Sequence, residues 1–334
     1  MPNHRLTELD ALRGFAAFAV VIYHMVYRYA DLYGHEDIAT YWAYWGQYGV
    51  HLFFMISGYV IYWTLDRIQR PAEFVISRFS RLYPVYWVSV LVTFTAVFAF
   101  GLADRQVHVS DMMLNLLMFH EYLGVPHVDG VYWTLTLELT FYAWMFTLLL
   151  SKQQRNAPWL LILLIALNAA LQVFSLEIRF LELLTLDGYA QFFLLGIAVF
   201  NWQSERDRLS TRVAFAVVFV ACLFATNWLE TILYGFLSAL FIGAVKVRMA
   251  LLRHSIFVWL GAISYSLYLI HQNIGYVILN YLPNNWSSVL KVSVATMMVI
   301  AIAYGLNRLI EVPSNRAFKK RLQARFLRGK ASAS

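Results

Sequence analysis

The sequence has a single cysteine, Cys222, which lies in an apolar run. One thiol cannot close a disulfide within the chain, and it cannot supply a cysteine cluster for a metal. A thiol with no His or Lys beside it is typical of a small core residue. The scarcity of cysteine therefore excludes a disulfide scaffold and a thiolate metal centre.

Charged residues are also scarce: they make up 13% of 334 residues, against 60% that are hydrophobic. A soluble domain contains about 25% charged residues. Aromatic residues reach 17%, as in chains whose Trp and Tyr side chains lie at the two membrane interfaces. The composition predicts an all-α, polytopic integral membrane helical bundle.

About ten apolar runs are long enough to cross a bilayer at about 1.5 Å per residue. They cover approximately residues 11–30, 46–66, 82–101, 131–150, 158–175, 187–202, 212–227, 229–246, 256–279 and 288–310. The runs between residues 185 and 250 are short or poorly separated, so their boundaries are the least defined.

The charges predict the orientation of these spans. With both termini in the cytoplasm, all but four of the 26 Lys and Arg residues lie inside; the exceptions are Arg28, Arg105, Arg179 and Lys291. Positive loops stay inside, so the net charge of +7 indicates topology and gives no reason to expect nucleic acid. We expect a multi-pass protein of the bacterial inner membrane, with residues 316–334 as a basic cytoplasmic tail against anionic membrane lipids.

Several other features are absent. The first apolar run is too long for a signal peptide, contains His24 and has no small-residue cleavage site. No internal repeat, soluble catalytic domain or tethering linker can be recognised. The predicted outer loop, 102–130, has histidines at positions 108, 120 and 127 and aspartates at 104, 111 and 129. None fits a ligand motif such as HExxH, so no metal is predicted, and a solvated or substrate-facing loop is favoured.

Arg13 and His24 lie eleven residues apart in the first run. Eleven helical residues rise about 16.5 Å and rotate about 1100°, so both side chains share one face. His24 then lies near the midplane of a hydrocarbon core of about 30 Å. An ionisable residue there marks a functional site by default; the alternative is a histidine hydrogen-bonded inside the bundle.

Two motifs follow in the second and third runs. Ser57 and Gly58 form a small pair that permits close helix packing or a local break. Arg78 and Arg81 share a helix face at the entrance of the third run. They are either ordinary inner-face anchors or a clamp for a phosphorylated ligand, because guanidinium groups match phosphate oxygens.

Polar residues recur in the fourth and ninth runs. Glu138 lies about seven residues, or about 10 Å, below the outer surface, with Tyr142 one turn further on. A carboxylate in a membrane needs a partner or water; a functional Glu is favoured over a structural one bonded to another helix. Ser264, Tyr268 and His271 form a polar stripe that either holds helices together or lines a pocket.

These residues suggest one reaction. Arginines at the inner face hold an anionic, phosphorylated donor, and His24 removes a proton from a hydroxyl nucleophile. Glu138 fixes the tautomer of the imidazole and stabilises the imidazolium, as a carboxylate does in a catalytic triad. The donor enters from the cytoplasm and the acceptor from the other side.

Taken in order, the motifs resemble those of the acyltransferase-3 family of integral membrane acyltransferases, over essentially the whole chain. They are Leu-Asp10-Ala-Leu-Arg13-Gly14, the Arg13-to-His24 spacing, Phe53-Phe54-Met-Ile-Ser57-Gly58-Tyr59, Arg78-x-x-Arg81-x-x-Pro84, Trp133-x-x-x-x-Glu138-x-x-Phe141-Tyr142, Ser264-Tyr265-x-x-Tyr268-x-x-His271 and Glu311-x-Pro313.

The resemblance implies a ten-span domain over residues 1–315 that moves an acyl group onto a hydroxyl of an extracytoplasmic carbohydrate or glycolipid. The implied donor is acetyl-CoA or another acyl-CoA, and no metal is involved. The resemblance makes His24 the catalytic base, joined by Glu138. It assigns donor binding to Arg13, Arg78 and Arg81, and acceptor binding to Ser57, Tyr142, Tyr268 and His271.

Many members of that family carry a fused periplasmic SGNH-type domain. The sequence ends at Ser334, which leads us to expect a stand-alone transferase or one that uses a separate periplasmic partner. Two other functions stay open: a proton-coupled transporter or flippase with His24 and Glu138 as relay, and a sensor of acyl-CoA. The acceptor, the acyl chain length, an acyl-His24 intermediate and the oligomeric state also stay open.

Overall fold

The computed structural model describes residues 7–35, 37–68, 70–224, 227–247 and 249–326, and these residues contain helices and no strand. Arg5, Arg248 and residues 327–334 of the predicted tail lie outside the described residues. The α-helices are α1 (Thr7–Ile22), α2 (Tyr29–Tyr33), α3 (Gly49–Leu65), α4 (Pro71–Ala99), α5 (Val109–Asn115), α6 (Trp133–Leu150), α7 (Ala157–Val173), α8 (Arg179–Leu184), α9 (Ala190–Gln203), α10 (Arg208–Leu223), α11 (Trp228–Lys246), α12 (Ser255–Tyr281), α13 (Ser288–Leu306) and α14 (Val312–Phe326).

Two π-helical segments, Tyr23–Arg28 and Asn307–Glu311, interrupt this α-helical pattern. Short 3-10 helices cover Tyr41–Tyr48, Ala103–Arg105, His120–Leu123, Gly130–Tyr132, Gln154–Asn156 and Ala250–Arg253. The all-helical prediction is therefore confirmed for the described residues.

Seven helical stretches in the described part of the chain are long and apolar enough to cross a membrane. They are Thr7–Tyr33, Tyr41–Leu65, Pro71–Ala99, Gly130–Leu150, Gln154–Val173, Trp228–Lys246 and Ser288–Ala324. The chain is thus a helical protein with multiple candidate membrane spans.

The three other predicted spans coincide with α9, α10 and α12. Helices α9 and α10 have 14 and 16 residues, fewer than the roughly 20 that a straight crossing needs. Helix α12 has 27 residues, but its polar run His271-Gln272-Asn273 lowers its apolar character. Ten spans and two cytoplasmic termini stay predictions.

The third span begins earlier than predicted. Helix α4 starts at Pro71, not near residue 82. Proline is favoured in the first turn of a helix, and Glu73 complements the helix dipole there. Arg78 and Arg81 consequently lie inside the helix rather than at its entrance, and the helix continues through Pro84.

The chain divides into two compact units. Unit 1 comprises residues 1–14, 50–71 and 137–261, and unit 2 comprises residues 15–49, 72–136 and 262–334. In unit 1, helix α9 contacts α7, α10 and α11, and its residues from Phe192 to Asn201 are all buried. A helix that is apolar on all sides belongs in a core.

Close helix packing in unit 1 depends on two glycines. A Cβ atom on Gly58 of α3 would overlap the carbonyl oxygen of Phe193, and one on Gly196 of α9 would lie 2.5 Å from the Tyr59 nitrogen. Helix α3 runs unbroken from Gly49 to Leu65. Of the two alternatives for the small pair, the structure shows close packing.

In unit 2, the π-helix Tyr23–Arg28 contacts the 3-10 helix Tyr41–Tyr48 and helix α13. Gly46 permits this approach, since a Cβ there would overlap the carbonyl oxygen of Ala19. The segment of α12 from Ile263 to Leu279 is almost entirely buried. Unit 2 therefore places the second half of α12 in its interior.

Candidate active site

His24 is the second residue of the π-helix Tyr23–Arg28. Met25 and Val26 beside it are buried, whereas His24 keeps part of its surface accessible. Single π-helical turns occur frequently at functional sites, because the wider turn frees backbone groups and redirects side chains. The local backbone thus presents His24 at an irregular point of the first span.

The structure brings His24 together with His271 of α12. Nδ1 of His24 lies 3.1 Å from Nε2 of His271 and 2.9 Å from the carbonyl oxygen of Val20. The two rings meet edge to face with centroids 4.9 Å apart. His271 is fully buried. The first candidate site is therefore a histidine pair with one accessible member.

The hydrogen bonds assign the protons of this pair. Nδ1 of His271 lies 2.8 Å from the carbonyl oxygen of Tyr268, and a carbonyl only accepts, so Nδ1 carries the proton and Nε2 is an acceptor. By the same argument Nδ1 of His24 is the donor. Nε2 of His24 then carries a lone pair, and no described residue donates to it.

Helix α12 is fixed next to His271 by hydroxyl groups of unit 2. The hydroxyl of Tyr268 lies 2.7 Å from Oγ1 of Thr134, and the hydroxyl of Tyr132 donates to the carbonyl oxygen of Leu269 over 3.2 Å. Tyr268, predicted in the polar stripe, thus holds two helical segments together. Whether it also contacts an acceptor stays a prediction.

Asp129 bonds to α12 two residues beyond His271, and the sequence pattern indicated only a loop residue there. Its Oδ2 accepts from the backbone N–H of Asn273 at 3.1 Å, and its Oδ1 accepts from that of Val131. Burial raises the pKa of Asp129 from 3.8 to about 7, although these N–H groups and Arg105 act in the opposite direction. The signal that could have identified it is its position just before a helical turn, since Asp is a preferred cap.

The predicted outer loop is less solvated than expected. His120 and Asp129 are both fully buried. Nε2 of His120 lies 2.7 Å from Nδ1 of His127, whose Nε2 is 3.6 Å from Glu121. Burial, and then the neighbouring His127, lowers the pKa of His120 to about 3. Of the two alternatives for this loop, solvation is wrong for these two residues, and a substrate-facing role stays a prediction. No cluster of three metal-binding side chains occurs in the described residues.

Glu138 lies in unit 1 and is bonded by two hydroxyl groups. Oγ of Ser57 donates to its Oε1 over 2.8 Å, and the hydroxyl of Tyr142 donates to the same oxygen. Within the described residues the carboxylate has no cationic partner. The structure thus groups three of the predicted residues, Ser57, Glu138 and Tyr142, around one carboxylate oxygen.

The three arginines predicted for the donor lie in both units. In unit 1, Nη1 of Arg13 is 3.9 Å from Oδ1 of Asp10. In unit 2, Nη2 of Arg78 donates to Oγ of Ser77 over 2.9 Å. Arg81 is half-buried and has no hydrogen-bond or ion-pair partner among the described residues. A half-buried guanidinium with no counter-ion is an open position for an anion.

The Glu311-x-Pro313 motif coincides with the second π-helix, Asn307–Glu311. Oε2 of Glu311 accepts from Oγ of Ser266 at 2.6 Å and from Nδ2 of Asn307 at 2.9 Å. Asn307 also donates to the carbonyl oxygen of Ala262. These bonds tie the π-helix to α12 within unit 2, so this motif supports the helix that carries His271.

A family model described as an acyltransferase domain matches residues 6–308. The chain belongs to this acyltransferase family, and the predicted resemblance is confirmed.

Named relatives agree with the family. The chain is 28% identical to acyltransferase MdmB of Streptomyces mycarofaciens over 41% of this chain and 38% of that protein. It is 26% identical to the peptidoglycan O-acetyltransferase OatA of Listeria monocytogenes over 92% of this chain and 55% of that protein. A putative membrane-bound transacylase, BcsY of Komagataeibacter xylinus, is 28% identical over 84% of this chain and 75% of its own length.

The chain thus spans about half or less of the length of the first two of these relatives. No solved structure matches it.

Proposed function

We propose that the chain transfers an acyl group from acyl-CoA, with acetyl as the first candidate, to a hydroxyl of an extracytoplasmic carbohydrate or glycolipid. The observation that carries this proposal is the histidine pair. His24 has a bonded Nδ1–H and an Nε2 lone pair that no described residue uses, which is the state that a general base requires. The family and the names of its relatives support acyl transfer as the reaction.

In the proposed step, Nε2 of His24 removes the proton of the acceptor hydroxyl. The hydroxyl oxygen bonds to the thioester carbon, the carbon–sulfur bond breaks, and the CoA thiolate recovers the proton from the His24 imidazolium. While His24 is charged, its Nδ1–H keeps its bond to Nε2 of His271 and stabilises the cation. In the two-step version, Nε2 attacks the thioester carbon and the carbon–sulfur bond breaks to release the CoA thiolate. The acceptor hydroxyl then attacks the acyl-His24 carbon, the carbon–nitrogen bond breaks, and the hydroxyl proton passes to the thiolate.

The arginines are proposed to bind the donor. CoA carries several phosphate oxygens, and guanidinium groups bind them in a bidentate manner. Arg81 supports this role best because it is half-buried without a counter-ion among the described residues. Arg13 and Arg78 are assigned to the same donor by the family motif alone.

Glu138, with Ser57 and Tyr142, is proposed to serve the acceptor, and so is Tyr268 of unit 2. His271, whose two ring nitrogens bond to Tyr268 and His24, is proposed to orient His24 instead. Support for Glu138 comes from its carboxylate, which lacks a cation among the described residues and keeps Oε2 outside the two hydroxyl bonds. We also propose that the protein lies in the inner membrane of a bacterial cell and that both of its termini face the cytoplasm. The distribution of Lys and Arg supports this orientation. No observation favours a transporter or a flippase.

The test is the transfer of labelled acetyl from acetyl-CoA by purified protein in nanodiscs, with His24→Ala beside the wild type. We expect turnover by the wild type and loss of about 10²–10⁴-fold in the variant, the range of general acid–base catalysis. His108→Ala, which removes an exposed histidine, is the matched control. Full activity of folded His24→Ala protein would refute His24 as the base, and absent donor turnover in the wild type would refute the function.

A further inference from the structure

A contiguous set of aromatic rings runs outward from His24 in unit 2. Tyr23 meets the His24 ring edge to face at 4.8 Å and stacks on Tyr27 at 5.8 Å. Tyr27 in turn contacts Tyr44 at 5.1 Å and Tyr41 at 6.2 Å. Trp45 follows, 5.4 Å from Tyr44. We call Tyr23, Tyr27, Tyr41, Tyr44 and Trp45 the aromatic platform.

The platform is open at its far edge. Tyr23, Tyr27 and Tyr44 are half-buried, while Tyr41 is 81% and Trp45 is 39% exposed. One end thus touches the proposed base and the other end reaches the surface. A ligand seated on these rings lies next to His24.

The phenol groups of the platform make no hydrogen bond within the described part of the chain. The hydroxyls of Tyr23, Tyr27, Tyr41 and Tyr44 have no hydrogen-bond partner among the described residues. Two nearby tyrosines of unit 2 do have partners: Tyr29 donates to Asn280, and Tyr33 donates to Asp104. These four hydroxyls are therefore available to a ligand.

Charged groups complete this surface. Arg28 and Asp31 form an exposed ion pair, and both interact electrostatically with Tyr23. Planar aromatic faces beside hydroxyl, guanidinium and carboxylate groups suit a ligand that has one apolar face and many hydroxyls. A pyranose ring has this character, because its C–H groups pack on an aromatic face and its hydroxyls form hydrogen bonds to the polar groups.

An interfacial aromatic belt is the other reason for exposed Tyr and Trp residues in a membrane protein. Belt residues are placed by the headgroup level, with their polar ends in water. The platform differs, since its rings contact one another in sequence and the innermost one contacts an ionisable residue of the proposed reaction.

We propose that the aromatic platform binds a sugar ring of the acceptor and presents its hydroxyl to His24. This inference rests on the proposed function, since it assigns the acceptor to that reaction. Tyr27 and Tyr44 supply the central stacking faces, and their free hydroxyls bond to the sugar.

The test is direct binding of a chitin pentasaccharide to the full-length protein in nanodiscs, where no sugar-based detergent competes. Tyr27→Ala and Tyr44→Ala each remove a stacking face, so each is expected to raise the Kd by up to about tenfold. Tyr44→Phe keeps the ring and loses only the hydroxyl, so its Kd rises less. Trp228→Ala removes an exposed tryptophan of unit 1 and leaves the Kd unchanged.

Two outcomes overturn the platform: no binding of the pentasaccharide by the wild type, or an unchanged Kd in both alanine variants. If either variant fails to fold, the fluorescence of Trp45 gives a second readout. Added pentasaccharide should change the emission of the wild type and not of Trp45→Phe, and an equal change in both refutes the site. Acetyl-CoA hydrolysis by the wild type without sugar reports the proposed function separately, because it needs no acceptor sugar.

Discussion

Nε2 of His271 accepts a hydrogen bond from Nδ1 of His24, over 3.1 Å. In a catalytic triad a carboxylate occupies this position and stabilises the imidazolium by its charge. The neutral imidazole of His271 can orient His24 and accept its hydrogen bond, but it brings no negative charge. His24 therefore relies on His271 for orientation more than for electrostatic stabilisation.

The first prediction concerns His271. His271→Ala removes the acceptor of the His24 Nδ1–H, so we expect kcat to fall by about 10–100-fold, less than in His24→Ala. His271→Gln keeps a side-chain acceptor and should recover part of the loss. Steady-state acetyl transfer measures both, and the thermal midpoint checks folding because His271 is buried. Equal kcat values for wild type and a folded His271→Ala protein contradict a positioning role.

The second prediction concerns the donor. Arg81→Gln removes a half-buried guanidinium that has no partner among the described residues, so the KM for acyl-CoA should rise about tenfold or more, as for a lost charge-assisted hydrogen bond. Arg81→Lys keeps the charge but not the bidentate geometry, so its KM for acyl-CoA should lie between those of the wild type and Arg81→Gln. Arg105→Gln is the control, since Arg105 already faces Asp104. An unchanged KM for both Arg81 variants removes Arg81 from the donor site.

The third prediction separates the charge of Glu138 from its hydrogen bonds. Glu138→Gln keeps an oxygen for Ser57 and Tyr142, so folding should be preserved while transfer falls, because the proposed acceptor role needs the carboxylate. Glu138→Ala leaves two hydroxyls without an acceptor and should also lower stability by about 1–3 kcal/mol. Transfer rates and thermal midpoints are compared with Glu177→Gln, an exposed control. If Glu138→Gln keeps the wild-type transfer rate, the role of Glu138 is structural and the proposed acceptor role is contradicted.

The fourth prediction is a pH dependence of stability with two opposing contributions. Burial raises the pKa of Asp129 from 3.8 to about 7, so the stability that this group contributes is complete below about pH 3.8 and is lost as the pH rises through 7. Burial and His127 lower the pKa of His120 from 6.5 to about 3, so its contribution is complete above pH 6.5 and is lost as the pH falls toward 3.

Between about pH 4 and 6.5, a rise in pH therefore lowers the stability that Asp129 contributes and raises the stability that His120 contributes in the wild type. Asp129→Asn should leave a thermal midpoint that rises with pH over this range, and His120→Gln one that falls. Thermal unfolding in nanodiscs from pH 4 to 8 measures the slopes, and each variant is compared with the wild type at every pH. Wild-type slopes in both variants would contradict the two buried states.

The sequence predicted the helical class and the family, because apolar runs and motif spacing are local properties, while the roles of the site residues stay predictions. It did not predict that His24 bonds to His271, since 247 residues separate them and no pattern encodes that contact. It also missed Asp129, whose role comes from burial against α12. The early start of α4 was missed because the third span was read from residue 82, leaving the amphipathic stretch from Pro71 outside the helix.

The π-helix at Tyr23–Arg28 changes which residues share a helix face along the first span. A π-turn holds about one residue more than an α-turn, and each α-helical residue turns the chain by about 100°. Every side chain after the π-helix is therefore turned about 100° from the position that an unbroken α-helix would give it. Deleting one residue within Tyr23–Arg28 would restore a regular helix and turn Tyr29 and Tyr33 away from Asn280 and Asp104. The extra residue of the π-turn thus determines which partners the tyrosines of α2 reach.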